Sequence, residues 1–281
     1  MDFSIKENIL IDKIIEQALL EDIWTGDITS ESIIPYDLKA KGIIKTSDEG
    51  VVAGLDIVLL VFKKLDSEIC FQSKTKDGNK ILPGEILAKI TGPAQTILKG
   101  ERVALNFLQR MSGIATITSK FCQEVKAFPV RIVDTRKTTP GLRILEKYSV
   151  RMGGGYNHRV GLYDAVLIKD NHIVVAGGIR SAVNSVRKQI SHTVKIEVEV
   201  ENLSQLQEAL KMKTDIIMLD NMDLENMKKA VKMARGKVLI EASGGITLEK
   251  VRKIAQTGVN LISIGTLTHS VKSLDISMEI V

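Results

Sequence analysis

The sequence predicts an α/β protein of two domains, the second of which is a closed or partly closed (β/α) barrel. The 281 residues correspond to about two domains at roughly 150 residues each. In the second part of the chain, short apolar runs alternate with helical stretches, which indicates a parallel sheet covered by helices. No GxGxxG motif occurs there, so a barrel is favoured over a doubly wound dinucleotide-binding fold.

The first 110 residues combine helices with short strands. Apolar residues at helical spacing between Ile11 and Leu19 predict an amphipathic helix that ends near Glu21. Helices are also expected over 55–65 and 95–118. Short segments bounded by turns predict β hairpins or a small open sheet, and they cover residues 41–46, 50–53, 68–72 and 85–90.

The second part contains six strand candidates. Helices predicted over 204–211, 223–234 and 247–257 separate the later ones. The strand candidates are residues 130–133, 165–168, 196–200, 216–219, 238–240 and 261–264.

Composition excludes several classes of protein. Hydrophobic residues make up 44% and charged residues 26%, which excludes disordered and collagen-like chains. The N-terminus has no signal-peptide pattern and no run of about 18 apolar residues exists, so we expect a cytoplasmic protein without a membrane segment. Cys70 and Cys122 lack zinc-ligand spacing. We expect them, like the single Trp24, to be packing residues.

The net charge of +5 is unevenly distributed. Residues 1–109 carry −4 and residues 110–281 carry +9, with a local excess of +6 over 110–175. Such an excess indicates an anionic partner. Aromatic residues make up only 4%, which leaves no stacking platform for single-stranded nucleic acid.

Polar residues follow the predicted strands, where barrel enzymes carry their reactive groups. Alternation along 196–200 puts Glu197 and Glu199 on one face, which we expect to look into the barrel mouth. A single cation at a strand end is best explained as a solvated loop or an ion pair. Several cations in one mouth, however, require an anionic ligand; the candidates are Arg136, Lys137, His158, Arg159 and Lys169.

Two loops have the composition of phosphate sites. Ser243, Gly244 and Gly245 precede a predicted helix, so unhindered backbone amides and a helix N-terminus meet there. Gly265 and Thr266 follow the last strand candidate, and paired phosphate loops after the last two strands recur in barrels. The run 153–155 of three glycines is equally well explained as a flexible connector or as a functional loop.

Seven ordered motifs in the second part resemble those of quinolinate phosphoribosyltransferases. The resemblance covers nearly the whole chain, and one departure is Met152, where the family often has Cys. The motifs are DTRKTTPG (134–141), GGGYNHR (153–159), LIKDNH (167–172), EVEV (197–200), LDN (219–221), EASGGI (241–246) and GTLTHS (265–270), preceded by GDIT (26–29) and ERVALNFLQRMSGIAT (101–116).

The resemblance implies an N-terminal open-faced α/β sandwich over 1–110 and an incomplete, TIM-like (β/α) barrel over 111–272. The tail 273–281 would return to the first domain. It further implies a homodimer, or a larger assembly of dimers, in which Arg102 reaches the site of the neighbouring subunit. The implied reaction converts quinolinate and 5-phosphoribosyl 1-diphosphate, with Mg²⁺, into nicotinate mononucleotide, pyrophosphate and CO₂ in NAD biosynthesis.

The resemblance also implies roles for individual residues. Glu199, Asp220, Lys137 and Lys169 would be catalytic, and Glu199 and Asp220 would hold Mg²⁺ directly or indirectly. Quinolinate would be bound by Arg102, Arg136, His158, Arg159 and Lys169. The phosphoribosyl diphosphate would be bound by Lys137, Glu199, Asp220, Ser243, Gly244, Gly245, Gly265, Thr266 and His269.

Two other functions are compatible with parts of the sequence. A same-fold phosphoribosyltransferase acting on another pyridine carboxylate, such as the molybdate-transport-associated relatives, would share most motifs. The full set of cations suited to a dicarboxylate argues against it. A basic nucleic-acid-binding protein is disfavoured because the cations lie at strand ends beside acids rather than along a helix.

Overall fold

The computed structural model of the chain describes residues 4–281, so residues 1–3 of the predicted first domain lie outside the described residues. The chain forms two compact units. The first contains the chain up to Ser119 together with Thr138–Gly154 and Leu267–Val281, and the second contains Lys120–Lys137 and Gly155–Thr266.

The first unit contains two antiparallel sheets. Their strands are β1 (Lys39–Thr46), β2 (Gly50–Val51), β3 (Cys70–Ser73), β4 (Lys80–Ile81), β5 (Ile86–Pro93) and β12 (Ile276–Ile280). Four of these strands form a sheet in the order β12-β1-β5-β3, and β2 pairs with β4 in the other sheet.

Helices α1, α3 and α4 contribute apolar side chains to a core that also includes residues of this sheet, such as Ile44 and Ile90. A capping box between Ser4 and Glu7 starts α1, which therefore begins before the predicted apolar stretch. The helices of this unit are α1 (Ile5–Ile23), α2 (Ile28–Ile33), α3 (Leu55–Leu65), α4 (Ala94–Val125, which ends in the second unit), α5 (Arg143–Met152) and α11 (Thr266–His269).

One ion pair connects three separated pieces of the first unit. Arg110 on α4 donates from Nε and Nη2 to Glu146 Oε1 on α5, at 3.0 and 2.6 Å. Nη2 also donates to Thr139 Oγ1 at 2.6 Å and to the carbonyl oxygen of Thr268 at 3.2 Å. Because these contacts bind 138–154 and the C-terminal segment to α4, the compact units differ from the predicted limits 1–110 and 111–272.

The C-terminal tail completes the first sheet. β12 pairs antiparallel with β1, from Gly42 opposite Ile280 to Thr46 opposite Ile276. Gln109 on α4 also donates from Nε2 to the carbonyl oxygen of Ile276 at 2.6 Å. The tail therefore supplies an edge strand on one side of β1, while β5 lies on the other.

Two predicted packing residues are exposed. Trp24, at the end of α1, is 80% exposed, and Cys70 on β3 is a free, exposed cysteine. The expectation that they pack inside is therefore wrong, although both cysteines are free as predicted. Trp24 ends its helix with φ 41°, and the backbone there turns away from the core-facing stripe.

The second unit is an incomplete parallel barrel, as predicted. Its six strands lie in the order β6-β11-β10-β9-β8-β7, and each adjacent pair is parallel. The strands are β6 (Arg131–Val133), β7 (Val166–Ile168), β8 (Ile196–Val200), β9 (Ile216–Asp220), β10 (Leu239–Ser243) and β11 (Leu261–Ser263).

The connecting helices of the second unit follow the predicted alternation. The three predicted helices correspond to α8, α9 and α10, whereas α6 and α7 were not expected. α6 buries none of its residues and so has no core-facing stripe. α7 does bury Ile179, Ala182 and Val183 at helical spacing, a signal that could have predicted it. The helices are α6 (Asp170–Ala176), α7 (Ile179–Gln189), α8 (Leu203–Lys211), α9 (Leu224–Ala234) and α10 (Leu248–Ala255). Over the described part of the chain, no helix combines the length and apolarity needed to span a bilayer.

We expect Arg110→Ala to destabilise the protein by about 3–5 kcal/mol, because Glu146 is 1% exposed and would keep a buried charge without its partner. Urea denaturation followed by circular dichroism measures the change. Lys120→Ala, at an exposed position of the same helix, is the control and should change stability by less than about 0.5 kcal/mol. Equal small effects of both substitutions would show that the ion pair does not hold this unit together.

Candidate active site

The carboxyl ends of neighbouring strands bring the predicted acids beside a glycine-rich loop. Asp220 on β9 is paired with Ser243 on β10, and β8, which carries Glu199, lies on the other side of β9. Asn221 donates its backbone N–H to the Ser243 carbonyl oxygen at 3.0 Å and its Nδ2 to Asp220 Oδ2 at 2.8 Å. The carboxyl ends of β8, β9 and β10 therefore bring Glu199, Asp220 and the turn after Ser243 to one edge of the sheet.

The loop after β10 requires glycine. Gly244 has φ +96°, and a Cβ there would overlap the side chain of Asn221. Gly245 has φ +56°, and a Cβ added there would meet no atom within 4 Å. The loop leads through Thr247 into α10. Unhindered backbone ahead of a helix N-terminus is a geometry suited to phosphate, so the loop has the form that the predicted phosphate site requires.

Two guanidinium groups lie close enough to repel each other. Burial lowers the pKa of Arg159, and the positive charge of Arg136 lowers it further. Arg159 donates from Nη1 to the carbonyl oxygen of Ala165 at 3.1 Å, while its buried Nε has no hydrogen-bond partner among residues 4–281. Arginine stays charged in proteins, so this arrangement favours binding of an anion.

Lys169 and Glu199 form the outer part of the site. Lys169 Nζ lies 3.8 Å from Glu199 Oε2. Burial raises the pKa of Glu199, and among the neighbouring charges Lys169 opposes this rise while Asp220, Asp170 and Glu197 add to it. Clustered carboxylate oxygens are the ligands that Mg²⁺ prefers, so Glu199 and Asp220 are suited to hold this ion.

A set of buried acids lies among the same strands. Asp134, which is 0% exposed, accepts hydrogen bonds from the backbone N–H of His158 at 2.8 Å and from Asn157 Nδ2 at 2.6 Å. Glu197 Oε2 lies 2.9 Å and Glu241 Oε1 3.8 Å from His158 Nε2. The period-two pattern had placed Glu197 on the inward face, but sequence reasoning gave neither glutamate a role.

His158, Glu197 and Glu241 offer a second set of possible metal ligands, with ligand atoms within 4.8 Å of one another. Binding a metal through Nε2 would place the ring proton on Nδ1. Nδ1, however, accepts the backbone N–H of Arg159 at 2.8 Å and therefore carries no proton. The geometry of His158 thus disfavours a metal here, and the donor set of Glu199 and Asp220 fits Mg²⁺ better.

Most of the predicted site residues belong to the second unit. Lys137 is exposed after β6, and Gly265 and Thr266 follow β11. Arg102 and His269 belong to the first unit, where both are exposed, on α4 and α11. The members within the second unit are Arg136, Lys137, His158, Arg159, Lys169, Glu199, Asp220, Ser243, Gly244, Gly245, Gly265 and Thr266.

Family models match both parts of the chain. The model described as quinolinate phosphoribosyl transferase, C-terminal domain, matches residues 114–279, and the model for the N-terminal domain matches residues 27–112. The chain belongs to the quinolinate phosphoribosyl transferase family. The family boundary at residues 112–114 falls inside α4, which continues unbroken between the two matched domains.

Members of this family with assigned names are similar over most of their length. A probable nicotinate-nucleotide pyrophosphorylase (carboxylating) of Bacillus subtilis is 48% identical over 268 residues, which cover 95% of this chain and 92% of the relative. The chloroplastic nicotinate-nucleotide pyrophosphorylase (carboxylating) of Arabidopsis thaliana is 43% identical, covering 95% of this chain and 82% of the relative.

Solved structures of family members have the same fold. The nicotinate-nucleotide pyrophosphorylase of Francisella tularensis superposes with a TM-score of 0.94 at 40% identity, covering 98% of this chain and 97% of the other. The corresponding structure from Ehrlichia chaffeensis has a TM-score of 0.93 at 42% identity and covers 100% of both chains. Family, fold and enzyme class predicted from the sequence are therefore confirmed.

We expect the stabilising effect of Glu241→Gln to grow as the pH rises. Burial, and next the negative charge of Glu197, raise the pKa of Glu241 from 4.5 to about 8. Folding therefore favours the protonated acid, so the contribution of Glu241 to stability falls as pH increases through this range. Glutamine cannot ionise and removes that loss.

Urea denaturation at about pH 5 and about pH 8 measures this effect. The free energy of unfolding of Glu241→Gln relative to the unsubstituted protein should rise between the two pH values. Glu225→Gln, at an exposed position of α9, should show no such change. A difference between Glu241→Gln and the unsubstituted protein that is the same at both pH values would contradict ionisation of Glu241 in this range.

Proposed function

We propose that this chain transfers the phosphoribosyl group of 5-phosphoribosyl 1-diphosphate to quinolinate and releases CO₂. The observation that carries this proposal is the repelling pair Arg136 and Arg159 at the same strand-end edge as Glu199, Asp220 and a phosphate-type glycine loop. Membership of the family adds support. Quinolinate carries two adjacent carboxylates, and planar guanidinium groups bind carboxylates through paired hydrogen bonds.

The quinolinate subsite combines several cations. Arg136, Arg159 and Lys169 would neutralise the two carboxylates, and the buried unpaired Nε of Arg159 is a donor suited to one of them. His158 was predicted to bind quinolinate as well, but both of its ring nitrogens already have partners within the second unit. We therefore keep His158 at the subsite without a direct contact to the substrate.

The phosphoribosyl diphosphate subsite lies towards the glycine loops. Glu199 and Asp220 would stabilise the positive charge that develops on the sugar, and Lys137 would bind the diphosphate. Mg²⁺, held by Glu199 and Asp220, would neutralise diphosphate charge when bound. The 5-phosphate would be held by Ser243, Gly244, Gly245, Gly265, Thr266 and His269.

The two chemical steps place different demands on the protein. In the first, the lone pair of the pyridine nitrogen forms a bond to ribose C1, and the C1–O bond breaks with its electron pair leaving on pyrophosphate. In the second, the bond from C2 to the carboxylate breaks and CO₂ leaves. The electron pair stays on C2 beside the cationic nitrogen and takes a proton from solvent. This step therefore needs charge placement that stabilises the electron pair on C2, and solvent access only for the final proton.

Steady-state release of ¹⁴CO₂ from quinolinate carboxyl-labelled at C2 tests the activity, with and without the phosphoribosyl donor. We expect release only with the donor, and equimolar nicotinate mononucleotide. Nicotinate has no 2-carboxylate, so turnover of nicotinate in place of quinolinate would instead support the alternative of a same-fold enzyme for another pyridine carboxylate. No turnover of either substrate would reject the proposed reaction.

Asp220→Asn should lower kcat by about 100-fold or more while changing the KM for quinolinate less than about threefold, because its charge would act on the transition state. Steady-state kinetics with both substrates varied measures this. Glu225→Gln, an exposed acid on the helix that follows Asp220, serves as the control with unchanged kcat. An unchanged kcat for Asp220→Asn would remove Asp220 from the mechanism.

A homodimer with a shared site is also part of the proposal. Arg102 is exposed on α4, and the first unit exposes a group of large apolar side chains that a second copy would cover. The exposed fractions are 80% for Trp24, 82% for Ile28, 73% for Ile33 and 88% for Tyr36.

Mixing two inactive variants tests the shared site. Heterodimers of an Arg102→Ala chain and a Lys169→Ala chain, formed by refolding or co-expression, should have about half of the wild-type activity per dimer, because each heterodimer retains one of its two sites intact. Activity is measured on purified heterodimers carrying two different affinity tags. Verified heterodimers without activity would contradict the contribution of Arg102 across an interface.

A further inference from the structure

The ring of His158 has a partner at each nitrogen. The backbone N–H of Arg159 donates to Nδ1 at 2.8 Å, so Nδ1 carries a lone pair and no proton. Nε2 lies 2.9 Å from Glu197 Oε2. A neutral imidazole carries one ring proton, so with Nδ1 acting as an acceptor that proton lies on Nε2, which donates to Glu197.

The backbone around His158 is fixed by a second acid. Asp134, buried at the end of β6, accepts the His158 N–H through Oδ1 at 2.8 Å and Asn157 Nδ2 through Oδ2 at 2.6 Å. Buried hydrogen bonds to a charged acceptor are strong and directional. The two peptides that flank His158 are thus both fixed, the one before it by Asp134 and the one after it by the His158 ring.

The hydrogen bonds around His158 fix the position of Arg159. Its backbone N–H is bound to the His158 ring, its Nη1 donates to the carbonyl oxygen of Ala165 at 3.1 Å, and its Nε is buried without a hydrogen-bond partner among the described residues. A guanidinium held at its backbone and at one terminal nitrogen presents its remaining donors in one direction. Preorganised donors of this kind lose little entropy when a carboxylate binds.

We infer that Glu197 is a positioning residue for substrate binding. Glu197 holds His158 as the Nε2–H tautomer, the His158 ring fixes the Arg159 backbone, and Arg159 then meets a substrate carboxylate. The identity of that carboxylate as quinolinate rests on the proposed function. Glu197 itself is 4% exposed and its Oε2 contacts the His158 ring, so it acts through His158 and not on the substrate.

The tautomer can be measured without any substrate. In ¹⁵N-labelled protein, two-dimensional correlation of ring protons with ring nitrogens should show His158 with a protonated Nε2 and an unprotonated Nδ1. His158→Asn identifies its signals among the four histidines of the chain. Glu197→Ala should replace this pattern by an average of the two tautomers. A wild-type ring protonated on Nδ1, or on both nitrogens, overturns the inference.

Kinetics distinguish positioning from a merely structural role. Glu197→Ala should raise the KM for quinolinate about tenfold or more, the size expected for one buried hydrogen bond to a charged group, with the KM for the phosphoribosyl donor changed less than about twofold. Glu197→Gln keeps an oxygen that accepts from Nε2–H and should recover most of the lost affinity. Glu201→Ala, at the exposed end of the same strand, is the matched control with wild-type values.

Other outcomes would contradict the inference. If both KM values rise equally, or if Glu197→Gln is no better than Glu197→Ala while thermal melting shows all variants folded, Glu197 does not position Arg159. If Glu197→Ala fails to fold, the tautomer of His158 in the wild-type protein and the KM values of Glu197→Gln still test whether Glu197 positions Arg159. Absence of quinolinate turnover in the wild-type protein together with the Nε2–H tautomer would reject the proposed substrate and leave the positioning of Arg159 intact.

Discussion

The burial of three carboxyl groups around His158 is the constraint on which the second unit depends. Asp134, Glu197 and Glu241 are between 0% and 4% exposed, and removing three acids from water is costly unless each is hydrogen-bonded, paired or protonated. Asp134 is hydrogen-bonded, Glu197 is hydrogen-bonded to His158, and Glu241 has a raised pKa. Hydrogen bonds thus offset the cost of burying Asp134 and Glu197, and a raised pKa offsets the cost for Glu241.

The cations in turn explain why an anion belongs at this edge of the sheet. Arg136 and Arg159 repel each other, and the acids that hold the backbone beneath them leave the buried Nε of Arg159 without a partner in the described chain. A dianion such as quinolinate would relieve both the repulsion and the missing hydrogen bond. The negative charges of Glu199 and Asp220 would face the sugar of the second substrate, on which positive charge develops. Neighbouring strands would thus supply cations for one substrate and carboxylates for the other.

A similar principle holds the first unit together. Arg110 pairs with the buried Glu146 between helices that are distant in sequence, and Thr139 and Thr268 join the pair through hydrogen bonds. Thr139 and Thr268 belong to two of the segments that carry the resemblance to the family, 134–141 and 265–270. A match to a motif therefore does not make each of its residues a substrate contact.

The sequence by itself determined the α/β class, the six parallel strands and most of the longer helices, because period-two and period-3.6 patterns are local properties. The roles of the site residues stay predictions. It missed α5, although Leu145 and Tyr148 are buried on that helix at helical spacing, because the charged Glu146 and Lys147 stand between them. Only the tertiary structure decided the limits of the compact units, the exposure of Trp24 and the contacts of the His158 ring. Those depend on contacts between residues far apart in the chain, which no local pattern encodes.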